Sequence, residues 1–234
     1  MPNLQVEAAR HRFEVDGGDS VSALMLRPPS ARWLFVFAHG AGAGMEHPGM
    51  DTAARRLADL GVATFRYQFP YMEAGRRAPD RPPRLIATVR AAVAAAGELA
   101  GDLELVAGGR SMGGRMTSTA QSQSPLPGVR GLAFYGFPLH PAAKPGVQRA
   151  DHLAGVDVPM LFLQGTRDKL ADLELLGPVV EGLGDLAELH VVEGADHGFQ
   201  VLVRSGRTAD QVADELAETF VSWLDGLGGP PVRR

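Results

Sequence analysis

The chain has 234 residues, 45% apolar and 21% charged, with a formal net charge of −4, which describes one globular domain over 1–234 with a sizeable core. The slight acidity leaves no footprint for nucleic acid, and nearly all of the 23 basic residues are Arg, because Lys stands only at 144 and 169. Cys is absent, which excludes disulfides, thiolate metal sites and a cysteine nucleophile. The opening MPNLQVEAARHRFEVD lacks the charged start and apolar run of a secretory signal, and no apolar run approaches the ~18 residues of a membrane span. A cytoplasmic location without membrane attachment is therefore expected.

Short apolar runs alternate with helical patterns along the chain. SALMLRP, WLFVFAHG, VATFRYQF, LELVAGG, GLAFYGF, PMLFLQG and ELHVVEG are strand-like. Between them, Met50, Ala53, Leu57 and Leu60 recur at helical spacing up to Gly61, a residue suited to ending a helix. Pro83 opens a helix whose Leu85, Val89 and Val93 share one face. MGGRMTSTAQSQ is small enough to lie close against a sheet. Gly177-Pro178 predicts a kink or break within 172–183. Thr208 and Gln211 form a capping-box pair for a last helix that turns Val212, Leu216, Phe220 and Trp223 inward. The core spans about 20–225, and GLGGPPVRR over 226–234 reads as a frayed tail. Near-continuous apolar strands alternating with helices predict an α/β fold with a mostly parallel central sheet covered on both faces. Sites in such sheets form beyond the carboxyl ends of the strands.

The chemistry concentrates at three such strand ends. In LELVAGGRSMGGRM, Gly109, Ser111 and Gly113 form a GxSxG elbow between a strand and a small-residue helix, which exposes the serine hydroxyl. With 29 Gly in the chain, about 0.14 such matches arise by chance, so context has to decide. Asp168 follows the strand of MLFLQGTRDKL, with Asp172 as the reserve acid, and His197 follows the strand of HVVEGADHGF. A serine hydroxyl needs a base to take its proton, and the base needs an acid to orient it, so Ser111, His197 and Asp168 are the expected nucleophile, base and acid. A surface Asp and an ordinary loop His are the plain alternatives. Asp196, adjacent to His197, is expected to point away as a solvated carboxylate. The segment 66–84 mixes Tyr67, Phe69, Tyr71 and Met72 with Arg76, Arg77, Arg81 and Arg84. It is either a solvated Pro-rich connection or a specificity element with aromatic walls and arginines for an anionic substrate. His11 near a frayed end, His47, His140 and His152 in loops and His190 on a strand show no metal-ligand spacing, so no metal is expected. GAGAGM does not fit a dinucleotide fingerprint, because GxGxxG would require Gly where Met45 stands.

Taken in order, FAHGAGAG, GRSMGGR, QGTRD and GADHGF resemble the alpha/beta-hydrolase superfamily across about 20–221. HGAGAGMEHPGM with FRYQFPYMEAGRRAPDRPP is similar to a group of small hydrolases related to dienelactone-hydrolase-like proteins. The resemblance implies a Ser-Asp-His triad on Ser111, Asp168 and His197, no cofactor, and an acyl-enzyme reaction on a small-molecule ester or thioester. It also implies an oxyanion hole from the Met112 amide and the Ala41 amide, with Gly42 as runner-up for the second, while His39 braces the loop. Arg110, Tyr71 and Met72 are the candidate substrate contacts. About twenty residues between Phe137 and Pro159 are too few for a cap domain, which predicts an open cleft. Two departures stand out: the chain looks short for an eight-stranded sheet, so a first strand or two is expected to be missing or reduced, and Arg110 occupies a position often apolar or aromatic in esterases. The competing reading is a non-catalytic binding protein on the same fold.

Overall fold

The structure, a computed structural model, describes residues 7–228. Eight strands form one sheet: β1 (Ala9–Val15), β2 (Asp19–Leu26), β3 (Trp33–Ala38), β4 (Val62–Tyr67), β5 (Glu104–Arg110), β6 (Val129–Tyr135), β7 (Met160–Gly165) and β8 (Ala187–Val192). Their spatial order is β1-β2-β4-β3-β5-β6-β7-β8. The β1–β2 and β2–β4 pairs are antiparallel and the rest parallel. The expected loss of the first strands does not occur. His11 lies in β1 opposite Ala23 rather than in a frayed end, because β1 and β2 form a hairpin over Gly17 and Gly18, both at positive φ. The ordered core thus begins near residue 9 rather than 20.

Among the described residues six α-helices flank the sheet: α1 (Pro48–Asp59), α2 (Pro70–Glu73), α3 (Pro82–Ala100), α4 (Met112–Gln123), α5 (Leu173–Gly182) and α6 (Ala209–Gly226). Alternate residues of each parallel strand point to opposite faces. Leu34, Val36, Ala107 and Phe134 join α3, α4 and α5 in one core, while Trp33, Phe35, Val106 and Tyr135 join α1 and α6 in the other. Both faces are covered, which is why β3, β4 and β7 are buried at every position. The capping box of Thr208 and Gln211 is formed at the start of α6. That helix runs through Gly226, so residue 226 is helical rather than part of the expected tail, and 229–234 lies outside the described residues.

Pro178 does not split α5, which continues from Leu173 to Gly182. The helix is short and its Pro is exposed, so the hydrogen bond that the proline cannot donate is lost on the solvent side rather than in a core. Between β6 and β7 the only regular element is a 3-10 segment, Gln148–Gly155. Among the described residues no lid covers the carboxyl ends of the central strands.

Candidate active site

One residue separates β5 from α4. Ser111 sits there at φ +51°, ψ −119°, a positive-φ conformation that costs a non-glycine residue about 1–3 kcal/mol and persists only when its surroundings impose it. The surroundings do. The Ser111 amide donates to Tyr135 O at 3.1 Å, and the flanking backbone is pressed against β3. A Cβ on Gly109 would meet Ala38 O at 2.6 Å, and one on Gly113 would meet His39 O at 2.6 Å. Only glycine at 109 and 113 lets α4 begin this close to the sheet, and the sharp turn leaves the serine hydroxyl at the rim.

The carboxylate comes from the end of β7. Asp168 closes a turn on Gly165 O and has a fully buried side chain. Its Oδ1 accepts the Leu170 amide at 2.7 Å, and its Oδ2 accepts Gln164 Nε2 and the imidazole of His197. The histidine arrives on the loop after β8. His197 Nδ1 lies 2.7 Å from Asp168 Oδ2, and its Nε2 lies 2.8 Å from Ser111 Oγ. A carboxylate only accepts, so Nδ1 carries the proton and donates to Asp168, which leaves Nε2 to accept the serine hydroxyl. The three predicted residues are therefore brought into one hydrogen-bonded line from elements far apart in sequence.

The histidine loop is fixed by a group that sequence reasoning misjudged. Asp196 is not a solvated carboxylate: its Oδ1 accepts the amides of Gly198 at 2.8 Å and Gln200 at 2.9 Å. Short acidic side chains bond their own turn in this way, and the bond keeps the imidazole's backbone in place. Phe199, the other non-glycine residue at positive φ, has its ring buried against Tyr135 at 6.2 Å between centroids. Gln164 was also missed, although a lone amide in the otherwise apolar MLFLQG strand was its signal.

On the opposite side of the elbow lies the loop after β3. A Cβ on Gly40 would rest 3.6 Å from that of Ser111, so this loop borders the nucleophile. His39 is fully buried. Its Nε2 accepts the Phe69 amide at 3.1 Å, so Nδ1 is the donor to Gly40 O at 2.8 Å. Burial drives its pKa down to about 4, and the ring stays neutral in its bracing role. Tyr71 also braces: its hydroxyl donates to Ala41 O at 2.9 Å, and burial with the nearby Asp80 charge pushes its pKa up to about 12. The Met112 amide, first in α4, has no acceptor within the helix, and Ser111 does not cap it.

The predicted substrate contacts divide. Tyr71 is fully buried, so it cannot wall a cleft. Met72 is half-buried against the core. Arg110 points to the α1 and α6 face, where its Nη2 donates to Gly198 O at 3.0 Å. Asp172, the reserve acid, instead caps α5 through the Glu174 amide at 2.9 Å. Of the arginines in 66–84, Arg76 pairs with Asp80 at 2.6 Å and Arg84 with Asp19 and Asp80. The remaining histidines have structural partners: His47 caps α1, His140 accepts the Asp172 amide, His152 bonds Ser118 and His190 bonds Glu215. Among the described residues no three His, Cys, Asp or Glu side chains gather as a metal would require. No helix among them is long and apolar enough to cross a membrane.

Residues 31–225 match the family described as alpha/beta hydrolase domain. The chain belongs to that family. Solved structures agree with this alpha/beta hydrolase in fold. A dienelactone hydrolase from Anabaena variabilis superposes with a TM-score of 0.71 at 20% identity, over 92% of this chain and 97% of its own. A Xanthomonas campestris serine hydrolase described as lacking a lid gives 0.72 at 18% identity, over 95% and 98%. An esterase from Pyrococcus furiosus gives 0.73 at 13% identity, over 96% and 92%. At these identities the likeness concerns the fold.

Proposed function

We propose that this alpha/beta hydrolase is a single-domain serine hydrolase of carboxylesterase or thioesterase type, acting on a small-molecule ester or thioester through an acyl-enzyme. The observation that carries the reading is the unbroken line from Asp168 through His197 to Ser111 Oγ, with contacts of 2.7 and 2.8 Å. His197 Nε2 takes the hydroxyl proton as Oγ attacks the carbonyl carbon, and the tetrahedral oxyanion forms. Collapse of that intermediate breaks the bond to the leaving alkoxide or thiolate, which receives the proton from His197. Water then enters, gives its proton to His197 and attacks the acyl carbon. A second collapse frees the carboxylic acid and returns the proton to Ser111. Asp168 fixes the tautomer and stabilises the imidazolium, aided by Gln164 and the Leu170 amide.

The oxyanion is assigned to the Met112 and Ala41 amides, with Gly42 the alternative to Ala41. The uncapped α4 start and the Tyr71 and His39 braces support this choice. The open cleft favours short acyl groups over long chains held in a tunnel. Met72 remains the candidate substrate contact of the 66–84 segment.

A fluorophosphonate probe tests the reading. Labelling of the folded protein that disappears in Ser111→Ala is expected. Absence of labelling on folded protein would replace the enzyme with a non-catalytic binding protein. A panel of esters, thioesters and lactones of increasing acyl length then identifies the substrate class, and a maximum at long chains would refute the open-cleft reading.

A further inference from the structure

Behind the elbow, between the N-terminal ends of α1 and α6, lies a second cavity of about 240 Å³ that Ser111 and His197 do not line. Its walls are largely apolar: Ala53, Tyr135, Phe199, Val212, Leu216 and Ala217. One cationic side chain enters it, that of Arg110. The guanidinium passes directly over Gly49, where a Cβ would come within 2.6 Å of Nη1. Its one hydrogen bond is to Gly198 O, although a guanidinium offers five N–H donors. Among the described residues no carboxylate lies within ion-pair distance of it. Asp196, whose charge acts on the guanidinium, turns Oδ1 to the Gly198 and Gln200 amides. Asp210, at the rim, pairs with Arg56 at 2.9 Å.

We propose that this cavity is a second binding site, separate from the serine, for a small monocarboxylate with a short apolar tail. A single fork of donors matches one carboxylate bidentately, and the aliphatic wall from α6 suits a short alkyl tail. A dianion such as phosphate is disfavoured, because the Asp210 carboxylate stands at the rim and the walls offer little else to solvate a second charge. The site also touches the catalytic loop: the nitrogen set that would hold the carboxylate holds Gly198, next to His197. An occupant that tightens or loosens this bond therefore alters the histidine's position.

Arg110 precedes the nucleophile in GGRSMGG, and the function proposed for Ser111 uses neither its charge nor the cavity. The site stands whether or not Ser111 is a nucleophile.

Isothermal titration of the full chain with butyrate, butylammonium, 1-butanol and inorganic phosphate tests it, using the parent and Ser111→Ala so that turnover plays no part. Saturable 1:1 butyrate binding of equal strength in both proteins is expected, with butylammonium, 1-butanol and phosphate each about tenfold weaker or more. Arg110→Met and, independently, Ala213→Phe, which would fill the cavity from the α6 wall that Ala213 lines, should each weaken butyrate by about tenfold or more. The second variant keeps the test valid if loss of Arg110 disturbs the fold. Binding that survives in a folded Ala213→Phe protein, or butylammonium equal to butyrate, overturns the proposal. So does absence of butyrate binding in the parent.

Discussion

The elbow around Ser111 and the connection 66–84 meet the loop after β3 from opposite sides, one beside Gly40 and the other through Tyr71 on Ala41. They are built differently. At the elbow, strained backbone, close-packed glycines and three hydrogen-bonded side chains leave one arrangement available. In the connection, Phe69 and Tyr71 are sealed in the core while Arg76, Arg77, Arg81 and Arg84 are exposed. A side chain can be assigned chemistry when the backbone beneath it is fixed on several sides. Composition alone, as in an arginine-rich loop, leaves that assignment open.

The largest expected effect tests the elbow. Ser111→Ala and His197→Ala should each lower kcat by about five to six orders of magnitude, to a common residual level, because the residues act as a unit. Asp168→Asn should lower it by about 10⁴ with the melting temperature nearly unchanged, since an amide stabilises the wrong imidazole tautomer. If Asp168→Asn retains near-parent activity, the carboxylate at 2.7 Å from His197 is not what orients it.

Much of the elbow was legible in the sequence because its requirements are local. Gly109 and Gly113 flank Ser111 at fixed spacing, and Asp168 and His197 each follow an apolar run that ends a strand. The β1 strand was not legible, because ARHRFEV is half polar and gains its place only by pairing with β2 at a sheet edge. Tyr71 and Asp196 were misjudged for a related reason. An aromatic in a Pro-rich stretch and an acid beside a histidine look exposed in one dimension, and only the folded loop shows the Ala41 carbonyl and the Gly198 amide waiting for them. Arg110 was unreadable because its role depends on a cavity formed by helices far along the chain.

His39 links the two regions, and acid should reveal it. In the unfolded chain this histidine binds a proton below about 6.5, but in the folded chain only below about 4. Between those values the unfolded state holds more protons, so stability falls as pH falls, by up to about 3 kcal/mol from this residue. Urea denaturation at pH 7.5, 5.5 and 4.5 measures the slope, and His39→Gln should flatten it. An unchanged slope in the variant would place the titration elsewhere.

Tyr71→Phe is expected to act more gently. Losing the 2.9 Å bond to Ala41 O frees the loop that presents the Ala41 amide. We expect kcat to fall by about tenfold with KM little changed, because a better-placed oxyanion donor matters in the transition state more than in the ground state. A rise in KM at constant kcat would instead give Tyr71 a role in substrate binding.

The smallest effect belongs to the exposed arginines, and it decides whether the connection is a specificity element. Arg76 and Arg84 already face Asp80 and Asp19, so their charge is balanced within the protein. Arg77 and Arg81 are exposed, and neither forms an ion pair with a carboxylate among the described residues. A solvated charge held by no second group contributes little directed attraction at physiological salt. Arg77→Ala and Arg81→Ala should therefore change stability by less than about 0.5 kcal/mol. They should also leave the ratio of kcat/KM for matched anionic and neutral esters within about twofold of the parent's. A selective loss of the anionic ester in either variant would show that the loop closes over bound substrate and would restore it as the recognition element. Loss confined to a double variant would mean that the two charges act together through the general field of the cleft, an effect that 0.5 M salt should erase.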